Sequence, residues 1–248
     1  MRAVYILWLR QIKRYRRSRS RIIGSLGQPI LFLLALGFGF GPTFARAGGG
    51  NYRQFLASGV ISMGILFSAV FSGIEIIWDR QFGFLKETLV APVPRFTIVL
   101  GRVLGGATVA MIQGTVVFIV CLVSGFRFES AALLPVALVF MFLIALLFTS
   151  IGTIFGSIMQ DMQGFQLVMN FFVLPLFFFS GALFPLEGLP KALRVVIFLN
   201  PLTYGVDGLR GALTHAVFAS LRNDFVVLGI LTSVLLSIAV YSFSKIEL

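Results

Sequence analysis

Six stretches of this sequence are apolar for long enough to cross a lipid bilayer, and nothing else constrains the fold as much. They are Ile22–Phe44, Phe55–Trp78, Phe96–Phe126, Ala131–Met159, Met162–Leu186 and Phe225–Phe243. A continuous apolar run of ~20 residues spans hydrocarbon as an α-helix, because only a helix satisfies every backbone N–H and C=O within the run. The third and fourth runs exceed that length and are expected to tilt or to extend beyond the bilayer. Pro29, Pro135 and Pro175 are expected to kink their helices. Only 12% of the 248 residues are charged, where a soluble domain carries about a quarter. With no repeat, low-complexity tract or linker, residues 1–248 are expected to form one all-α polytopic membrane domain with six spans.

Charge sets the orientation. Eight of the 20 Lys and Arg residues precede Ile22: Arg2, Arg10, Lys13, Arg14, Arg16, Arg17, Arg19 and Arg21. Beside a span, such a run points to anionic lipid and topology and away from nucleic acid. Placing the N-terminus inside puts thirteen basic residues on inner segments and seven on outer ones. Both termini are therefore expected to be cytoplasmic, in a multi-pass plasma (inner) membrane protein. Within residues 1–21, Tyr5, Trp8, Leu9 and Ile12 recur at helical spacing, with Arg10, Lys13, Arg14 and Arg17 on the remaining surface. That pattern predicts an interfacial helix, apolar face down and cations toward headgroups. The basic start and Ala45-Arg46-Ala47 imitate a cleavable leader, but Ile22–Phe44 exceeds the usual 7–15-residue apolar core. The first run is expected to remain as a span.

Several chemistries are absent. One cysteine, Cys121, and one histidine, His215, exclude a disulfide framework and a Cys/His metal site. Cys121 reads as a small buried hydrophobe. The nearest imitation of a phosphate loop, Gly101–Thr108 (GRVLGGAT), has Ala107 where lysine is required. Gly101/Gly105, Gly37/Gly41 and Gly152/Gly156 read as close-packing pairs between helices. No carboxylate lies mid-membrane, which disfavours proton coupling. Glu75 and Arg102 are expected to pair between the second and third spans.

Soft polar residues remain inside. Gln163, Gln166, Asn170, Leu174, Phe177 and Gly181 form one stripe on the fifth run, with Phe171 and Phe172 nearby. Ser58, Ser62, Ser68, Ser72 and Glu75 share a face of the second. Two readings stay open, interhelical packing or the wall of a pathway for an amphipathic molecule. Candidate pathway residues are Ser62, Phe67, Gln166, Asn170, Phe171 and Phe177.

Between the second and third runs lies a charged cytoplasmic segment, residues 79–95. Phe82, Leu85 and Leu89 predict one apolar face of a helix over Asp79–Val90, which Pro92 and Pro94 terminate. Arg80, Lys86 and Glu87 supply charge. A transporter with neither an ATPase site nor an ion-coupling carboxylate must draw energy from a partner gripped on this side. The outer segment 187–224 predicts two short helices broken at Asn200–Pro201, dipping back toward the bilayer and packed on the bundle.

Two motifs then carry a resemblance. FLKETLVAPVPRFTIVLGRVLGG after the second run resembles the coupling loop of type-2 ABC exporter permeases, the branch with drug-resistance, nodulation-factor and polysaccharide exporters. FFFSGALFPLEGLPKALRVVIFLNPLTYGVDGLRGAL resembles that family's second hallmark, and the likeness covers essentially the whole chain. It implies a membrane subunit without an ATPase site of its own, paired with a second copy or a paralogue. Two separate ABC ATPase subunits would bind the ATP and Mg. It further implies coupling through Arg80, Phe82, Phe84, Leu85, Lys86, Glu87 and Thr88, and a pathway lined by the second and fifth spans. Re-entrant outer helices bearing Asn200, Pro201, Tyr204 and Arg210 would close the exit. A non-transporting membrane scaffold and a proton-coupled carrier are the alternatives.

Overall fold

The structure, a computed structural model, describes residues 2–46, 51–186, 190–214 and 220–246. Every regular element among them is helical. Helix α1, Arg2–Arg17, lies along α7 (Arg95–Val123). Two glycines of α7 admit it: a Cβ on Gly101 would stand 2.9 Å from Leu7 Cβ, and one on Gly105 2.6 Å from Gln11 Cγ. Trp8 Nε1 donates to Thr108 Oγ1 (3.0 Å), and the Tyr15 hydroxyl to Gln113 Oε1 (2.7 Å). The expected apolar stripe is thereby divided. Tyr5 is exposed, while the face toward α7 runs through Val4, Trp8, Gln11 and Tyr15. Helix α7 covers that face of α1.

The first apolar run forms α2 (Arg19–Gly39) and a separate short α3 (Gly41–Arg46). Pro29 lies inside α2. Gly37 and Gly41 do not make a close-packing pair. A Cβ on Gly37 would meet only Arg53 Cγ at 3.6 Å, and one on Gly41 nothing within 4 Å. Helix α4, Tyr52–Phe71, is buried at every position from Leu56 to Leu66, as befits a helix apolar all round. It forms the centre of the bundle, against α7, α8 and α2. After a break at Ser72–Gly73, α5 follows over Ile74–Gln81. The break lies where α8 (Leu134–Ile158) crosses. A Cβ on Gly73 would stand 2.0 Å from the Gly152 carbonyl oxygen, one on Gly152 2.3 Å from that of Val70, and one on Gly156 2.3 Å from that of Gly73. The Gly152/Gly156 pair therefore packs closely, as its spacing suggests. Pro135 occupies the first turn of α8, where the missing N–H costs nothing, so it starts the helix and does not kink it.

A short α6, Phe84–Val90, precedes α7. Helix α9, Met162–Phe178, contains Pro175 and stops eight residues before the Leu186 boundary expected of the fifth run. The outer segment folds as α10 (Lys191–Leu199) and α11 (Pro201–Thr214), parted at Asn200. Helix α12, Leu221–Ser244, packs on α8 and α11. Among the described residues, five segments are long and apolar enough to cross a membrane: Ile22–Gly39, Tyr52–Gln81, Arg95–Val123, Ala131–Ile158 and Leu221–Ser244. Helix α9, with 17 residues, is shorter. Cys121 is buried in the main apolar core, and His215 lies outside the described residues.

Candidate functional site

Three groups of residues bear on function. The first gathers around α5 and α6. The helix expected over Asp79–Val90 is broken, because Gly83 takes the left-handed region (φ +80°) that glycine tolerates best. The break splits the expected apolar face. Leu85 is 2% exposed and joins a core with Ile76, Ile98, Val99, Val103, Ala239 and Phe243, against which Leu89 also packs. Phe82, outside the helix, is 80% exposed. Lys86 and Glu87 are exposed, and Thr88 Oγ1 donates back to the Phe84 carbonyl (3.0 Å). Arg80 donates to the carbonyls of Ser157 (2.8 Å) and Met159 (3.1 Å), so its charge meets the negative end of the α8 dipole. The outcome is a loop fixed from beneath that offers Phe82, Lys86 and Glu87 outward.

Behind this loop lies an ionic cluster. Asp79 accepts from both terminal nitrogens of Arg10 (3.0 and 2.7 Å) and from Arg102 Nη2 (2.6 Å). Arg14 stands 3.5 Å from Asp79 and 3.8 Å from Glu75. The pairing expected between Glu75 and Arg102 is thus replaced, since Arg102 bonds to Asp79, one turn further along α5. The Arg10 guanidinium also stacks 3.5 Å from the centroid of Phe84. A single side chain of α1 therefore touches both α5 and α6, while Asp79 ties it to α7. Arg10, expected to face headgroups, turns instead to Asp79, a pairing hidden from the sequence because it joins residues 69 apart.

The second group comprises the candidate pathway residues, which the structure does not bring together. Ser62 is buried in α4, and Phe177 is buried in a T-shaped contact with Phe32 (ring centroids 6.0 Å apart). Phe67 lines a 330 Å³ pocket with Tyr15, Ser25, Gln28, Ser68 and Phe71. Gln166, Asn170 and Phe171 lie on the open face of α9, Phe171 being 84% exposed. Pro175, inside the helix, has no N–H to return to the Phe171 carbonyl. Two exposed amides are poorly suited to acyl chains.

The third group holds the turn after α9. Asn200 Nδ2 donates to the Leu176 carbonyl (2.6 Å), while its Oδ1 accepts from Leu202 N (3.0 Å) and so caps α11. Pro201 takes the first position of that helix. Thr203 and Tyr204 hydroxyls donate to the carbonyls of Ile197 and Phe198, each at 2.8 Å. Arg210, nearly buried, donates to the Gly181 carbonyl (2.8 Å) and lies over the Phe55 ring (3.9 Å). Gly181 is left-handed (φ +72°), and Tyr52 donates to the Leu183 carbonyl (3.0 Å). These residues act as a clamp on residues 176–183. The Gly101–Thr108 stretch, by contrast, is interior to α7, its glycines facing α1 or α8 and its Ala107 buried.

Long apolar helices around a continuous core define a multi-pass α-helical membrane protein. Residues 2–214 match the ABC-2 type transporter family, and the chain belongs to that family. It is similar to Nodulation protein J of Rhizobium leguminosarum bv. viciae, 29% identical over 209 residues that cover 82% of this chain and 79% of the relative. It is also similar to ycf38 of Pyropia yezoensis, named as a transport permease. That match is 34% identical over 208 residues, covering 78% of this chain and 68% of the relative.

Proposed function

We propose that this chain is the membrane-spanning permease subunit of an ATP-driven ABC exporter for an amphipathic drug-like molecule, lipid or glycolipid. The observation that carries it is the α5–α6 loop, whose underside is locked into the bundle by Leu85 and Asp79 while Phe82 stands free. An anchored base with an exposed aromatic tip suits transmission of force from a docked subunit. Membership of the ABC-2 family and the transport names of relatives support the same reading. In it, α2, α4–α5, α7, α8, α9 and α12 make six spans in one domain, with α10 and α11 as re-entrant helices on the outer side. Both termini and α6 face the cytoplasm of a bacterial-type inner membrane. Two ABC ATPase subunits, carrying ATP and Mg, dock on Arg80–Thr88, where Phe82, Lys86 and Glu87 make direct contact. Leu85, Phe84 and Arg80 position them. A second permease copy or paralogue faces the open side of α9, so that Gln166, Asn170 and Phe171 line a shared pathway. Asn200, Pro201, Tyr204 and Arg210 hold its outer end.

The test is recovery of an ATPase with the full chain from its native membranes. Phe82→Ala leaves an exposed site and should change folded yield little. It removes an anchor of the kind worth about 1–2 kcal/mol or more at interfaces, so ATPase recovery should fall roughly tenfold. Leu85→Ala opens a cavity costing about 2–5 kcal/mol and should lower folded yield first. Equal ATPase recovery with Phe82→Ala and the unaltered chain would remove the α5–α6 loop as the docking site.

Orientation has its own check. In a Cys121→Ala background, Lys86→Cys should resist impermeant thiol reagents in intact cells, whereas Glu129→Cys should react. The reverse pattern would invert the topology drawn from the basic residues.

A further inference from the structure

We infer that a cleft between the ends of α5, α8 and α12 binds the headgroup of an anionic glycerophospholipid whose acyl chains lie along α12. The cleft has a volume of 550 Å³, with Arg80, Ser157, Gln160, Tyr241, Ser242 and Lys245 among its lining. Its two cations are Arg80 and Lys245. Among the described residues neither has a carboxylate partner. The carbonyl ends of the neighbouring helices are already answered: Arg80 serves Ser157 and Met159, and Arg95 donates to the carbonyls of Ser244 and Ile246. Among the described residues Lys245 is then the unbalanced charge. Its ammonium is held 4.6 Å from the Tyr241 ring centroid, which steers it along the helix toward the cleft.

What selects a lipid over a free anion is the surface above. Ile230, Val234, Ile238 and Tyr241 are all exposed, and with Lys245 they follow one face of α12 at steps of three or four residues. Ser233 and Ser237 on the same face turn their hydroxyls back to the carbonyls of Gly229 and Ser233, hiding them from an apolar neighbour. Ile158, exposed at the end of α8, lines the cleft opposite Tyr241. The membrane-length part of α12 ends at Ser244, so Lys245 falls at headgroup depth. A phosphate in the cleft and acyl chains on the stripe form one continuous amphipathic ligand. Basic pockets between membrane helices recognise headgroups in this way. The inference does not depend on the transport reading.

The experiment is lipid titration of the delipidated full chain in detergent, read by native mass spectrometry. Phosphatidylglycerol should bind as a discrete adduct well ahead of phosphatidylcholine. Lys245→Gln should weaken it roughly fivefold, the effect of one basic side chain at a membrane surface. Gln160→Glu, at an exposed position in the cleft, should weaken it at least as much without loss of folded yield. Equal binding of the two lipids, or unchanged binding in both variants, would overturn the site. Displacement of phosphatidylglycerol by millimolar inorganic phosphate would make it a free-anion site and overturn the lipid assignment. If Lys245→Gln instead lowered ATPase recovery while lipid binding stayed constant, the cleft would be a protein contact, which would also overturn it.

Discussion

Asp79→Ala should remove most of the folded permease from the membrane. The substitution deletes the one carboxylate that accepts from Arg10 and Arg102 together. Arg102, whose side chain is 3% exposed, would be left charged and without its partner. Breaking a buried pair on one side costs about 3–5 kcal/mol, a large share of the ~5–15 kcal/mol that holds a typical domain together. Adding Arg102→Met should recover part of the loss, because the pair is then replaced by apolar volume. Arg10→Ala, at a partly exposed site, should cost less than either single change in the pair. Monodisperse yield after extraction, with thermal unfolding of what survives, measures all four. Wild-type yield from Asp79→Ala would show that the cluster carries no stability.

Gly152→Val should be at least as damaging, for a different reason. Even the first added carbon would lie 2.3 Å from the Val70 carbonyl oxygen and 3.0 Å from its carbon. These are backbone atoms, so no rotamer change relieves the clash, and α4 and α8 must separate at the centre of the bundle. Ordinary overpacking costs about 1–3 kcal/mol, and a rigid backbone clash exceeds it. Gly229→Ala on α12, where an added Cβ meets nothing within 4 Å, is the control and should fold normally. The same yield and unfolding measurements separate them. A folded Gly152→Val protein of normal stability would mean that the crossing is looser than the structure has it.

Much of this architecture can be read from apolar length alone, since a span is a local property of some twenty consecutive residues. The break at Asn200–Pro201 was equally legible, because its cause is a proline preceded by a capping side chain. Gly152 and Gly156 could be picked out by spacing, yet Gly37 and Gly41 have the same spacing and touch little. Spacing states that a close approach is possible, and only the neighbour decides whether it occurs. Ion pairing failed for a related reason. Glu75 and Asp79 occupy successive turns of α5, so both were available to Arg102, and the choice depends on where α1 brings Arg10 and Arg14. Phe82 and Leu85 are three residues apart, which suggests a shared face. Gly83, which could have warned otherwise, turns the chain between them. The candidate pathway residues were chosen as polar or aromatic stripes, and a stripe does not reveal which side of a helix its neighbours cover.

Helix α9 has a consequence for the membrane itself. Its 17 residues measure about 26 Å at 1.5 Å per residue, against the ~30 Å of an average hydrocarbon layer. As a span it would end before that layer does, and Asn200, Arg210 and Tyr52 supply the hydrogen bonds that bulk water would give at the surface. If α9 is a span, as proposed, the bilayer beside this side of the protein would be pressed to be thinner than elsewhere. If cargo moves along α9, it would be released into a local dimple of the outer leaflet, and export should slow in vesicles made from longer-chain lipids.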